Sequence, residues 1–300
     1  MSKRLGPSAA VFLTALLVSA CSTAPSRTPP GSVAQGSPAP SATTPSTGAI
    51  AHPTGATEIV FRYDVGGGFV PMSFFAAHVP VFTLYGDGTV IWASSGSPLG
   101  SGLGPGTGQP IRIGRFSEDQ VQEFLAFALG DGGLAIARDS YTDSGGIADA
   151  PSTSFIVNAD GRTRTVSVYA LGIETQPGPD TAIKARFKKI VERIVVIDGG
   201  GTAGAAYVAT AYRGVLEEAA GAVGVQVRDW PWPSITPAEF VVRADPGGFQ
   251  RRTRVLTPAE ATVLGVTGFE NGITGGLYLK GPDGAIYSLA LRPLLPDESS

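Results

Sequence analysis

The chain reads as an α+β protein, an antiparallel sheet of β-hairpins with two or three helices packed on one face and room for two similar subdomains. Three observations predict this. Asp-Gly pairs at 87–88, 160–161 and 283–284 each sit between apolar-alternating runs, the signature of tight hairpins. Capped, amphipathic segments start at Ser117 and Thr257. The 300 residues include 41 Gly and 24 Pro but only 16% charged residues, a composition of turns and core rather than of charge-driven disorder.

Residues 1–20 read as a signal peptide. Lys3 and Arg4 precede an apolar run, Ala9–Leu17, that is shorter than the ~20 residues of a membrane-spanning helix. The run closes on Leu17-Val18-Ser19-Ala20-Cys21, which resembles the bacterial lipobox. That resemblance implies cleavage before Cys21 and a diacylglyceryl thioether on its sulfur. Cys21 is the only Cys in the chain. The expected location is therefore the extracytoplasmic side of the cell membrane, lipid-anchored, with a fold that stands without disulfides.

Residues 21–57 read as the lipidated Cys and a disordered tether. From Ser22 to Thr57 every residue is Ser, Thr, Pro, Ala or Gly except Arg27, Val33, Gln35, Ile50 and His52. Such a stretch buries too little apolar surface to order itself, so His52 is expected to be solvated.

A first α+β domain is expected over 58–198. Glu58–Asp64 reads as a strand, Val79–Trp92 as a hairpin and Ile111–Ile113 as a short strand. Ser117 and Gln120 form a capping box, behind which Val121, Phe124, Leu125 and Ala128 make one apolar helix face. After a loop from Gly130 to Pro151 comes a hairpin over Ser154–Tyr169. Asp180 or Thr181 then starts a helix with the stripe Ile183, Phe187, Ile190, Val191 and Ile194.

A second subdomain is expected over 205–298. Ala205–Tyr212 and Val225–Val227 read as strands, the latter ended by Trp230-Pro231-Trp232-Pro233. Phe240–Arg243 pairs with Arg252–Val255. Thr257, Pro258 and Glu260 open a helix, and Leu277–Leu291 forms the last hairpin. Both halves run strand, capped helix, Asp-Gly hairpin, which raises the idea of an internal duplication.

The run Phe82–Val90, the helix capped at Ser117, Asp149-Ala150-Pro151-Ser152 and the 160–161 hairpin resemble a domain of unknown function in bacterial lipoproteins, over residues 58–197. The tail Tyr287–Glu298 is similar to the end of uncharacterised surface lipoproteins. The resemblance implies no activity.

A net charge of −3 and a pI near 5.5 argue against nucleic acid as a partner. One Cys and two His leave no Cys-rich zinc site and little for His-based catalysis. Gly199, Gly201 and Gly204 match a dinucleotide fingerprint, with Asp229 as the ribose acid. The stripe before them is helical rather than a strand, however, so they read as an interdomain linker, with no dinucleotide and no cofactor. His78, flanked by Phe74, Phe75 and Val79, reads as a packed or surface-edge histidine. Asp131, Asp139, Asp143 and Asp149 in loop 130–150 lack the alternating spacing of a calcium loop, so no metal is expected.

Two candidate partner surfaces remain. Lys184, Lys188 and Lys189, with Arg186 and Arg193, crowd one helix as a solvated face or a site for anionic headgroups or a wall polymer. Trp230 and Trp232 either stack on a glycan or peptide or pin their loop to the core. The functional expectation is a non-catalytic binding module at the cell surface, partnered by an envelope protein or glycan. Its alternatives are an envelope hydrolase using the carboxylates of loop 130–150, and a structural or sensory accessory of the envelope.

Overall fold

Along β1 (Ile59–Gly67), Phe61 and Tyr63 alternate with Arg62 and Asp64, so the strand offers an aromatic face and a charged one. Everything around it follows from that split. The structure is a computed structural model that describes residues 48–68, 75, 77–93, 108–142, 147–199, 204–221, 224–244, 250–273 and 276–298. The fold is α+β.

In the first, eight-stranded sheet β1 lies between β2 (Phe82–Tyr85) and β6 (Pro151–Ala159). Beyond β2 come β3 (Thr89–Ala93), β4 (Ile111–Arg115) and β8 (Ala205–Ala206); beyond β6 come β7 (Arg162–Tyr169) and β5 (Ser140–Tyr141). Neighbours are antiparallel except β5 and β7. The β6–β7 turn places Asp160 at φ 50° and Gly161 at φ 69°. Two successive left-handed residues give the turn that matches strand twist, which is why Asp-Gly serves here.

The aromatic face of the sheet is covered by α1 (Glu118–Leu129) and α2 (Thr181–Gly199). The capping box is present: the Ser117 hydroxyl accepts from the Gln120 amide, and the Gln120 side chain accepts from the Ser117 amide. Val121, Phe124, Leu125 and Ala128 are the buried face of α1, as their spacing predicts. Phe124 meets Phe61 edge-on at 4.9 Å between ring centroids, and Phe187 of α2 meets Tyr141 at 5.2 Å.

The folded chain begins earlier than Glu58. Ile50 packs against the core, its amide donates to Gln122 Oε1 at 2.8 Å, and its carbonyl accepts from Gln122 Nε2 at 3.0 Å. Ala51 and Asp160 exchange hydrogen bonds. His52, expected in solvent, has a side chain only 4% exposed, set between the Pro53 carbonyl and Glu118 Oε1. One isoleucine and a histidine suffice to fix the end of an otherwise featureless segment, because α1 and the β6–β7 turn supply the partners.

The second, six-stranded sheet centres on β9 (Tyr212–Glu218) and β14 (Ile286–Pro293). Beside β9 lie β12 (Gln250–Leu256) and β11 (Val241–Ala244); beside β14 lie β13 (Tyr278–Lys280) and the parallel strand β10 (Val227–Asp229). The short helix α3 (Pro258–Thr262), with its capping box, covers one face through Ala261 and Leu264. The run read as a strand over Ala205–Tyr212 divides instead. Ala205 and Ala206 pair with β4 of the first sheet, and β9 begins only at Tyr212.

The shared order of elements does not extend to topology. The strand beside β1 is the first of its hairpin, β6, whereas the strand beside β9 is the second of its hairpin, β14.

The charged face of the first sheet is closed by the C-terminal segment. Leu295 packs with Tyr85, Ile91 and Ile111. Asp297 Oδ1 accepts from Arg62 Nη2 at 2.7 Å and from the Tyr85 hydroxyl at 2.6 Å. Arg292 holds Glu298 with two hydrogen bonds, at 2.6 and 2.5 Å. Nearby, Ala77 packs on Val215 and Ala290 of the second sheet, and His78 bonds Asp64 Oδ1 at 2.6 Å. No helix among the described residues is long and apolar enough to cross a membrane.

Candidate functional site

The chain leaves β7 at Tyr169 through a turn in which Ala170 and Gly172 have positive φ, then runs through Glu174–Pro179 into α2. Thr181 fixes the helix start by exchanging hydrogen bonds with Gly178, and Asp180 accepts from Arg138 at 2.6 Å. This geometry leaves a cleft of about 330 Å³ lined by Glu174, Thr175, Pro177, Thr181, Lys184 and Lys188, among others. That volume is at the lower end of small-ligand pockets.

Lys184 lies on the cleft wall and is 4% exposed. Its ammonium donates to the Tyr169 carbonyl at 3.2 Å and lies 3.5 Å from Glu174 Oε1. Glu174 Oε2 accepts from the Gly172 amide at 2.9 Å, while its Oε1 is buried without a donor at hydrogen-bond geometry. Lys188 lies one turn further along α2, half-buried. The cleft is thus lined by an engaged Lys184–Glu174 pair, by Lys188 and by the start of α2, groups of a kind that can orient a small polar ligand.

The lysines expected to form one solvated face are divided. Lys184 is interior, since its long stem buries while the amine reaches a backbone carbonyl; Lys189 is exposed. The arginines of the same helix tie it to α1. Arg186 donates to the carbonyls of Gly130 and Asp131 at the C-terminal end of α1, where cations are favoured. Arg193 bonds Glu123 at 2.5 Å and lies over the Phe127 ring.

Trp230 and Trp232 belong to the fold rather than to an open surface. Trp232 is buried and Trp230 half-buried, with ring centroids 5.2 Å apart. Their indole N–H groups donate to the carbonyls of Ile235 and Glu260 at 2.6 and 2.8 Å. The prolines between and after them rigidify a corner that these bonds pin.

Gly199 is the last residue of α2, so the glycine fingerprint follows a helix; Gly201 lies outside the described residues. Gly204 packs so closely on the Trp92 ring and the Ile113 carbonyl that a Cβ there would clash. Asp229 is exposed at the end of β10. Asp131, Asp139 and Asp149 do not converge, Asp143 lies outside the described residues, and no metal-ligating cluster occurs among the described residues. Cys21 also lies outside them.

Sequence reasoning missed Glu174 and the group formed by Arg62, Tyr85, Asp297, Arg292 and Glu298. Burial pushes the Tyr85 hydroxyl far above its ordinary pKa, reinforced by Asp297. Burial alone would raise the Asp64 and Glu298 carboxyls, but His78 holds the first and Arg292 the second below the usual range. One signal was present in the sequence: Arg62 and Asp64 alternate with Phe61 and Tyr63 in one strand, so the face they share needed polar cover.

No protein-family model, curated protein or solved structure matches the chain.

Proposed function

We propose that the chain is a lipoprotein held through Cys21 on the extracytoplasmic side of the cell membrane, and that its folded unit is a non-catalytic binding module. The observation that carries the reading is the place of the single Cys, at the end of Leu17-Val18-Ser19-Ala20-Cys21 behind a basic and then an apolar segment. Two or more acyl chains, at ~0.8 kcal/mol per buried CH₂, anchor stably where one does not. The partner proposed for the folded unit is an envelope protein or glycan.

A binding role is supported by how the titratable groups are used. His78 with Asp64, Arg292 with Glu298 and Lys184 with Glu174 are pairs that hold segments together. The cleft at the start of α2 offers a small polar ligand Lys188 and Thr181 beside the Lys184–Glu174 pair.

Fractionation of cells producing the chain and its Cys21→Ser variant tests the reading. The parent chain should stay with membranes through a high-salt wash and leave them with detergent, while the variant should be lost from the detergent-released fraction or remain as uncleaved precursor. A Cys21→Ser chain that is processed and membrane-bound like the parent would refute it.

A further inference from the structure

Both ring nitrogens of His52 face oxygen. Nδ1 lies 2.6 Å from the Pro53 carbonyl oxygen, and Nε2 lies 3.1 Å from Glu118 Oε1. A carbonyl and an ionised carboxylate only accept hydrogen bonds, whereas a neutral imidazole has a single N–H to give. Its other nitrogen would turn a lone pair on an oxygen. The side chain is 4% exposed, which leaves little room for water to come between them. The imidazolium, with an N–H on each side, satisfies both contacts.

These contacts belong to a connected set. Glu118 Oε1 also accepts from Gln122 Nε2 at 2.8 Å, and the Gln122 side chain holds both the amide and the carbonyl of Ile50. Ala51 is tied to Asp160 through its amide at 3.1 Å and its carbonyl at 2.7 Å. The Pro53 carbonyl is fixed by close packing on the β2–β3 turn, where a Cβ on Gly86 would lie 2.6 Å from its oxygen. The backbone thus has no easy way to turn that oxygen from a neutral ring.

The charged groups on the packed elements are mostly carboxylates, which favour a cation. Besides Glu118, α1 brings Asp119 and the β6–β7 turn brings Asp160. Glu58 leads into β1, and Asp87 of the β2–β3 turn pairs with Arg115 of β4 at 3.2 Å. Burial alone would raise the Glu118 carboxyl, yet Gln122 and His52 hold it below the usual carboxylate range.

We propose that His52 is a proton-operated clasp: its imidazolium closes residues 50–53 onto α1 by joining the Pro53 carbonyl to Glu118, and loss of one proton opens it. The closed form holds one proton more than the open form, so acid closes the clasp and base opens it. Glu118 sets the lower limit, because a protonated carboxyl no longer offers the ring an anion. The clasp is separate from the cleft at α2 and does not depend on lipid at Cys21.

The test uses the full chain in detergent with isotope-labelled histidine. The chain has two histidines, so the ring signals lost in His52→Gln assign His52. Both of its ring nitrogens should carry protons at about pH 6. Amide exchange over residues 50–53, read by mass spectrometry and corrected for its intrinsic pH dependence, should lose about tenfold or more of its protection between about pH 6 and pH 9. That loss should follow the ring titration. His52→Gln should abolish the pH dependence. Glu118→Gln, at a mostly exposed side chain, should move the ring titration and the loss of protection together to lower pH. A singly protonated His52 ring at about pH 6 would overturn the proposal. So would protection that does not change with pH, a loss of the same size in His52→Gln, or a ring titration unmoved by Glu118→Gln.

Discussion

Replacing Asp297 by Ala removes a carboxylate that joins the C-terminal segment to the charged face of the first sheet. It accepts from Arg62 at 2.7 Å and from Tyr85 at 2.6 Å, and the side chains of Arg62 and Asp297 are each 14% exposed. Breaking a buried ion pair from one side costs about 3–5 kcal/mol, since the other charge stays behind without its partner. Arg62 retains Thr83 Oγ1 through its Nε at 3.1 Å, and some solvent reaches the pair, which lowers the figure to about 2–4 kcal/mol. In a unit of this size that corresponds to a drop in melting midpoint of about 5–15 °C. Tyr85→Phe, which leaves the Arg62–Asp297 pair in place, should cost about 1 kcal/mol. Urea unfolding followed by tryptophan fluorescence measures both, with the slope unchanged if only stability moves. An Asp297→Ala chain within about 0.5 kcal/mol of the parent would show that the segment does not hold the sheet.

Three further outcomes are expected. Asp64 and Glu298 have folded pKa values below their unfolded ones, so the unfolded chain takes up protons first as pH falls; stability from these groups is full at neutral pH and is lost below about pH 5. The urea midpoint should therefore fall on the acid side, and less steeply in Arg292→Gln, whose Glu298 has lost its partner. Ser117→Ala deletes the acceptor for the Gln120 amide and should destabilise α1 by about 1 kcal/mol in the same assay. Trp232→Phe keeps a ring but loses the bond to the Glu260 carbonyl, so it should cost about 1 kcal/mol or more; no change at all would show that this bond does not pin the corner.

Much of the fold was legible because its signals are local. Asp160-Gly161 demands two left-handed residues, Ser117 and Gln120 satisfy each other across one helical turn, and the four apolar positions of α1 repeat at helical spacing. What escaped depends on contacts distant in sequence. His52 is ordered by Glu118, Lys184 is buried because the Glu174 loop folds over its amine, and Asp297 finds Arg62 and Tyr85 across most of the chain. Trp230 and Trp232 carried both readings in the sequence, and only the carbonyls of Ile235 and Glu260 decide between them.

The central claim, that this chain is anchored by lipid at Cys21, is tested most directly by the mass of its amino-terminal peptide after purification from membranes. The expected peptide begins at Cys21 and carries a diacylglyceryl group on the sulfur. A peptide containing residues from 1–20 joined to an unmodified Cys21 would contradict it.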